Sequence, residues 1–327
     1  MKVQSIFSFC LTIFCAGNLF SQNFIVMEVS GTVSYVERPG AEQCELIPGQ
    51  TLGLDAVVTL SPRAYARLLF EDHSINLSEA GNYPVKSLAG KKPAGSSSFM
   101  KRFFNYVYEG ISNTSGQKKI EQYHEIYLTS SSGGVKGFAG GEYGISLKHP
   151  VAGNIPAGPV SFEWFSAGDS TLYDFQIIDF QTEGLVFKAL LRDTAFQLDL
   201  GKLAIEPARK YYWVVQRKRL GEMVLGFTLA DDPSSRSAKT EFVVNNQDKK
   251  DELVLELENS AEFQQNGPVD RLLMKAQLLE ENQYVYEANQ ALAEALKQNP
   301  GSPLVKRVYG AFLVRQGLWH AAQLYLF

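Results

Sequence analysis

The chain has 327 residues, 45% of them hydrophobic, 12% aromatic and 20% charged, with a formal net charge of -4. That apolar content excludes a mostly disordered chain, and 27 Gly and 13 Pro without a period exclude a fibre. The balance of 31 Lys and Arg against 35 Asp and Glu gives no electrostatic ground for nucleic acid as a partner, and the length suffices for two or three domains.

Lys2 precedes an apolar run from Ile6 to Ala16, followed by a polar exit, Gly17 to Gln22. This pattern predicts a secretory signal peptide over residues 1–21. The run falls short of the ~20 apolar residues of a membrane span, and no later stretch approaches that length free of charges. Phe14 is too bulky before Cys15 for lipoprotein processing. The mature chain is therefore expected to be exported to the periplasm or cell envelope, without a lipid anchor or a transmembrane span. Losing Lys2 moves the net charge from -4 to -5, and losing Cys10 and Cys15 leaves Cys44 alone. A lone cysteine forms no internal disulfide and builds no cysteine metal site, which favours a bacterial envelope over a small secreted scaffold.

From Phe24 to about Val85, apolar residues alternate with period two between Gly, Pro and Asp turns. Ile25, Met27 and Val29, then Val33 and Tyr35, Leu52 and Leu54, and Ala64, Ala66, Leu68 and Phe70 predict short strands of a β-sandwich or barrel. Gly31-Thr32-Val33, Pro48-Gly49-Gln50-Thr51-Leu52, Asp55-Ala56-Val57-Val58 and the alternating stretch from Ala64 to Leu77 resemble the FecR domain. The pattern resumes at Tyr127 to Gly137, and the resemblance places a FecR-like β-domain over 24–145. His73 stands where that family has Gly, and Lys136 where it has Arg. The resemblance implies an extracytoplasmic sensor at most, since the span and cytoplasmic tail of FecR-type signalling regulators are not visible here.

Phe99, Met100, Phe103, Phe104, Val107, Tyr108 and Ile111 form a helical stripe, with Ser97 or Ser98 as N-cap. This predicts a helix inserted at about 97–112, expected to cover the open face of the β-domain, and a solvated connector from Gln117 to Glu125. Aromatic strands follow: Phe162-Glu163-Trp164, Tyr173 to Asp179, Val186-Phe187, Tyr211 to Val215 and Phe242-Val243-Val244. The early Trp164, the turn Glu206-Pro207-Ala208-Arg209 and the late Tyr211-x-Trp213 make residues 146–247 similar to a fibronectin type III module. Trp164 and Trp213 are expected to face one another across that core.

Asp248 to Glu252 is a charged lead-in, and from Pro268 the pattern turns helical and repeats. Ala276 recurs as Gly310, Leu279 as Leu313, Ala288 as Ala322 and Leu292 as Leu326, each 34 residues later. That period is the tetratricopeptide signature, so 268–327 resembles tetratricopeptide helices. The small residues are expected where paired helices approach most closely. Fewer than two full repeats are present, so these helices must lean on the β-domains, a second copy or a partner.

Chemistry is sparse. His73, His124, His149 and His320 show no metal-ligand spacing, and Ser130 to Gly134 is no nucleophile elbow. Gly133 to Gly141 lacks the Gly-Lys-Ser/Thr ending of a phosphate loop. Asp231-Asp232 and Asp251-Glu252 diverge as sequence neighbours, and Arg209-Lys210 with Arg217-Lys218-Arg219 reads as a charged hairpin. The chain offers no catalytic, metal or cofactor set and is not expected to be an enzyme. The expectation is a multidomain, mainly β protein with a FecR-like domain, a fibronectin-like sandwich and a short α-helical end. It would act as a protein-interaction or scaffold module whose partner is an envelope protein or a second copy, through Tyr284, Tyr286, Tyr309 and Trp319. The alternatives are a cell-wall or glycan binder using exposed β-domain aromatics, and a FecR-type sensor.

Overall fold

β1 (Phe24–Ser30) opens with four consecutive buried apolar residues, Phe24 to Met27. Such a run marks a strand covered on both faces. Phe24 and Val26 enter one core, while Ile25 and Met27 enter another. These assignments come from a computed structural model that describes residues 23–90, 97–114, 116, 118–122, 144–150, 153–166, 172–218, 233–245 and 247–327. The expected signal peptide, the FecR-like stretch at 127–137, the glycine-rich run, His124, Asp231-Asp232 and Arg219 lie outside those residues.

Seven further strands follow: β2 (Val33–Val36), β3 (Gln43–Glu45), β4 (Thr51–Leu52), β5 (Val57–Leu60), β6 (Tyr65–Phe70), β7 (His73–Leu77) and β8 (Gly81–Pro84). They form two antiparallel sheets, β4-β1-β6-β7 and β3-β2-β5-β8, around a core that includes Val33, Leu46, Val58, Leu68 and Phe70. A short helix, α1 (Val85–Leu88), closes the core with Val85 and Leu88. The β1–β6 register sets Ile25 opposite Leu69, so both project from the outer face of the first sheet. His73 is the first residue of β7. Glu71, with φ +52°, and Asp72 make the turn, while His73 pairs with Phe70 and buries its ring edge-on to it.

α2 (Ser98–Ser112) starts where the Ser97 Oγ accepts a hydrogen bond from the Met100 amide at 3.3 Å. The serine supplies an acceptor for an otherwise unpaired first-turn N–H. Met100, Phe103, Phe104, Val107 and Ile111 form its buried stripe. The stretch after it is not simply a solvated connector, because 118–122 is helical and buries Ile120.

The second set of strands comprises β9 (Leu147–His149), β10 (Gly153–Pro156), β11 (Pro159–Trp164), β12 (Leu172–Asp179), β13 (Leu185–Leu191), β14 (Ala195–Asp199), β15 (Lys210–Lys218) and β16 (Thr240–Asn245). A three-stranded sheet, β14-β11-β9, accompanies a five-stranded one, β10-β16-β15-β12-β13, in which β10 and β16 run parallel. Trp164 and Trp213 lie on different sheets, but Phe175 joins them: Trp164 stacks on it at 6.2 Å and Trp213 packs at 5.9 Å. The Tyr211 hydroxyl accepts from the Glu206 amide at 2.8 Å, which pins the turn before β15.

Six helices complete the chain: α3 (Asp248–Asn259), α4 (Ala261–Gln265), α5 (Pro268–Glu281), α6 (Val285–Gln298), α7 (Pro303–Arg315) and α8 (Trp319–Leu326). Residues 248–252 are thus the first turn of a helix rather than a charged lead-in. Pro268 and Pro303 occupy first-turn positions, where the missing N–H is not needed. A Cβ on Gly310 would lie 2.4 Å from Leu326 Cδ2, so a small residue in α7 sets how closely α8 approaches. Helix and strand account for 37% and 34% of the described residues, so the chain is mixed rather than mainly β. No described helix is long and apolar enough to cross a membrane.

The helices do lean on the sheets. Ile25, Met27 and Leu69 share one apolar core with the α2 stripe and with α5–α8. α2 packs chiefly on α7, and the Arg315 guanidinium lies 4.8 Å from the Tyr106 ring centroid while pairing with Glu280 at 2.7 Å. At the edge of the same junction Arg67 pairs with Asp270 and donates to the Asn266 side-chain oxygen at 2.8 Å. Gly49, with φ +86°, abuts the start of α7, where a Cβ would lie 2.4 Å from the Leu304 nitrogen. Its carbonyl accepts from Arg307 Nη1 at 3.0 Å.

Candidate functional site

The four aromatic residues expected at a partner surface do not form one. Tyr284, Tyr286 and Tyr309 are 4%, 5% and 8% exposed, and Trp319 is half-buried with its ring edge-on to Phe327. An aromatic stripe at helical spacing is consumed by whatever covers the helix. Here the chain covers it itself. Tyr286 stacks on His149 at 4.5 Å and accepts from the Ser161 amide at 3.3 Å, which fixes α6 against β9 and β11. Tyr309 donates to Asn289 Oδ1 at 3.0 Å and lies 4.9 Å from Tyr325. Burial raises the Tyr286 phenol above its ordinary range, although the Ser161 amide works against that shift, and burial raises the Tyr309 phenol further.

Asn289 also lies 3.3 Å from His149 through its side-chain nitrogen, so the amide donates to His149 Nδ1 and the imidazole proton sits on Nε2. Burial pushes His149 down to about 3, which keeps it neutral. This cluster joins three elements and faces the interior, so it positions helices rather than meeting a ligand.

The basic pair at the start of β15, Arg209 in the preceding turn and Lys210 on the strand, is likewise engaged within the chain. Arg209 contacts Asp179 at 2.5 Å and Glu206 at 3.1 Å, and Lys210 lies 3.6 Å from Glu241. Desolvation works to raise the Asp179 carboxyl, but hydrogen bonds from Thr182, Arg209 and the Gln181 amide hold it below the usual range. Among the described residues no group of three or more His, Cys, Asp or Glu could hold a metal ion.

Among the described residues, one concave feature with ligand-sized room is a cleft of about 380 Å³ between the start of α2, the α3–α4 bend and the end of α5. A volume in this range accommodates a few side chains or a small ligand. Phe99, Leu253, Leu257 and Leu278 give it an apolar lining, and Ser97, Arg102, Glu256, Glu262, Glu281 and Asn282 bring polar groups to it. Arg102 contacts Glu281 at 3.3 Å across the opening and lies 5.8 Å from the Phe99 ring centroid. Glu256 and Glu262 make no ion pair among the described residues. The cleft therefore combines apolar and polar lining in near-equal measure and carries an excess of two negative charges.

No protein-family model matches the chain, and no curated protein does either.

The expected site and the cleft have no residue in common. One signal for the cleft was present in the sequence: Leu253 and Leu257 stand four apart, and Ser260 caps the helix that follows. The charged start of α3 masked that helix, and nothing in the sequence pattern brings Phe99 beside Leu257.

Proposed function

We propose that the chain is an exported, non-enzymatic envelope protein that acts as an interaction and scaffold module, with a FecR-like β-domain over 24–145, a fibronectin-type sandwich over 146–247 and tetratricopeptide-like helices over 268–327. The cleft carries this reading, because it is a recess open at the surface where Leu257 and Leu278, at the margin of the helical core, meet polar and charged groups. Support for the modules comes from the two four-stranded antiparallel sheets, from the division into three- and five-stranded sheets with the Tyr211 hydroxyl bonded upstream, and from the helix pairs spaced 34 residues apart. The binding surface of this reading differs from the aromatic face expected from sequence. α2 offers no exchangeable surface, because it lies against α7 with Met100, Phe103, Phe104, Val107 and Ile111 buried.

The glycan alternative relies on exposed β-domain aromatics; Trp164, Trp213, Tyr173 and Tyr211 are fully buried, whereas Phe180, at the turn after β12, is exposed. The protein-binding reading is tested with a photo-crosslinking residue placed at Glu281 and, as a control, at the exposed Leu185 of β13. A discrete protein adduct from position 281 in intact cells, absent from position 185, is the expected result. Adducts from neither position, or binding of purified peptidoglycan in their place, would sink the protein-binding reading.

A further inference from the structure

The cleft differs chemically from the rest of the helical surface. Its floor comes from Phe99 on α2, Leu253 and Leu257 on α3 and Leu278 on α5, four apolar side chains from three helices. They are held together by the shared core beneath, so the recess is preformed and binding need not first order it. Around this floor stand three carboxylates and one guanidinium, and the guanidinium is already taken by Glu281. Glu256 and Glu262 have no cation of their own among the described residues. The C-terminal end of α5, at Asn282, adds the negative end of a helix dipole to the same rim. The opposing positive end, at the start of α2, is partly spent, because the Ser97 side chain already accepts from the Met100 amide.

From this charge pattern we infer that the cleft receives a basic peptide segment of a partner protein, a Lys or Arg next to an apolar residue, with the apolar side chain on the leucine floor and the cation between Glu256 and Glu262. The inference rests on the protein-binding reading above and specifies its ligand. A small anion is disfavoured, because it would meet two unpaired carboxylates. A second copy of this chain is also disfavoured, since its net charge of -4 makes like-charge approach unfavourable. Apolar burial sets the affinity here, and the carboxylates set the choice of partner and the salt dependence, because exposed charges are screened over ~8 Å at physiological ionic strength.

The test is a selection from a random decapeptide library displayed on phage against the whole purified chain. It is followed by fluorescence anisotropy of the enriched peptides on wild type and on the double variant Glu256→Gln, Glu262→Gln. Glu256 is exposed and Glu262 half-buried, and circular dichroism checks that the variant folds. Enriched peptides should carry Lys or Arg beside Leu, Ile or Phe and bind the double variant about ten-fold more weakly. They should also lose affinity as salt rises. Enrichment of neutral or acidic peptides, or equal binding to the variant, overturns the inference and leaves the protein-binding reading standing. If no peptide is enriched while the crosslinker at Glu281 still yields an adduct, the basic-segment inference fails alone; if both fail, so does the wider reading.

Discussion

The helices meet the two sets of strands in different ways. At the first junction the outer face of the sheet containing β1 and β6 merges with the helices: Ile25, Met27 and Leu69 belong to the same apolar core as Phe103 and Phe312. Polar contacts there, such as Arg67 with Asp270, sit at the margin. At the second junction the strands keep their own core, and the contact is narrow. One tyrosine, Tyr286, crosses into that core, supported by its stack on His149, the Asn289 and Tyr309 hydrogen bonds, and a backbone bond of 2.8 Å from the Asn154 amide to the Gln283 carbonyl. A shared apolar core makes two parts fold as one, because neither can bury its face alone. A narrow polar contact joins parts that are already complete and leaves the joint sensitive to protonation.

Phe103→Ala tests the first half of that contrast and should have the largest effect. Removing a fully buried ring at the shared core should cost about 3–5 kcal/mol and lower the stability of the first sheets and the helices together. Urea unfolding followed by probes in both parts checks this. If only the helices weaken, the core is not shared in the energetic sense. Gly49→Ala is the next in size. It places a side chain in the left-handed region and drives it into the backbone at Leu304, for about 3 kcal/mol in all. Its signature should be a loosened α7, seen as faster hydrogen exchange there, with β2 and β5 unaffected; unchanged exchange in α7 would contradict the close approach.

The smallest effect concerns the second junction and depends on pH. His149 stays neutral in the folded chain down to about 3, whereas the unfolded chain takes up a proton near the ordinary 6.5. Below 6.5 the unfolded state therefore binds more protons, and folding stability falls as pH falls towards 3. The carboxylate set opposite His149 across the strands is its register partner, Glu163. Unfolding measured between pH 7.5 and 5 should show this loss in wild type and a flatter profile in His149→Gln. Equal slopes in the two proteins would show that the imidazole does not titrate differently on folding.

Much of the local structure was legible in the sequence, and for physical reasons. A stripe spaced four apart behind a capping serine gives α2 to within a residue or two, and the 34-residue recurrence locates the helix pairs. The small residues of that recurrence reflect a true constraint, the approach of Leu326 to Gly310. What escaped was the identity of the neighbours. Ile25 and Met27 read as one face of an ordinary alternating strand, although Phe24 and Val26 show that both faces are covered. Tyr284, Tyr286 and Tyr309 read as available because nothing local indicates that β-strands more than a hundred residues earlier cover Tyr286. The cleft was invisible for the same reason: its walls meet only through the tertiary fold.

The placement of α2 also sets an order of events. The outer face of β1 and the apolar stripe of α2 lie at or before residue 112, yet the helix that seals them, α7, spans Pro303–Arg315. Contacts across some two hundred residues form slowly, and until they form, Ile25, Leu69 and Phe103 remain wet and adhesive. The sheet of β1 and β6 is thus finished by a helix made much later, so a chain interrupted before residue 303 is a sticky fragment rather than a smaller working protein.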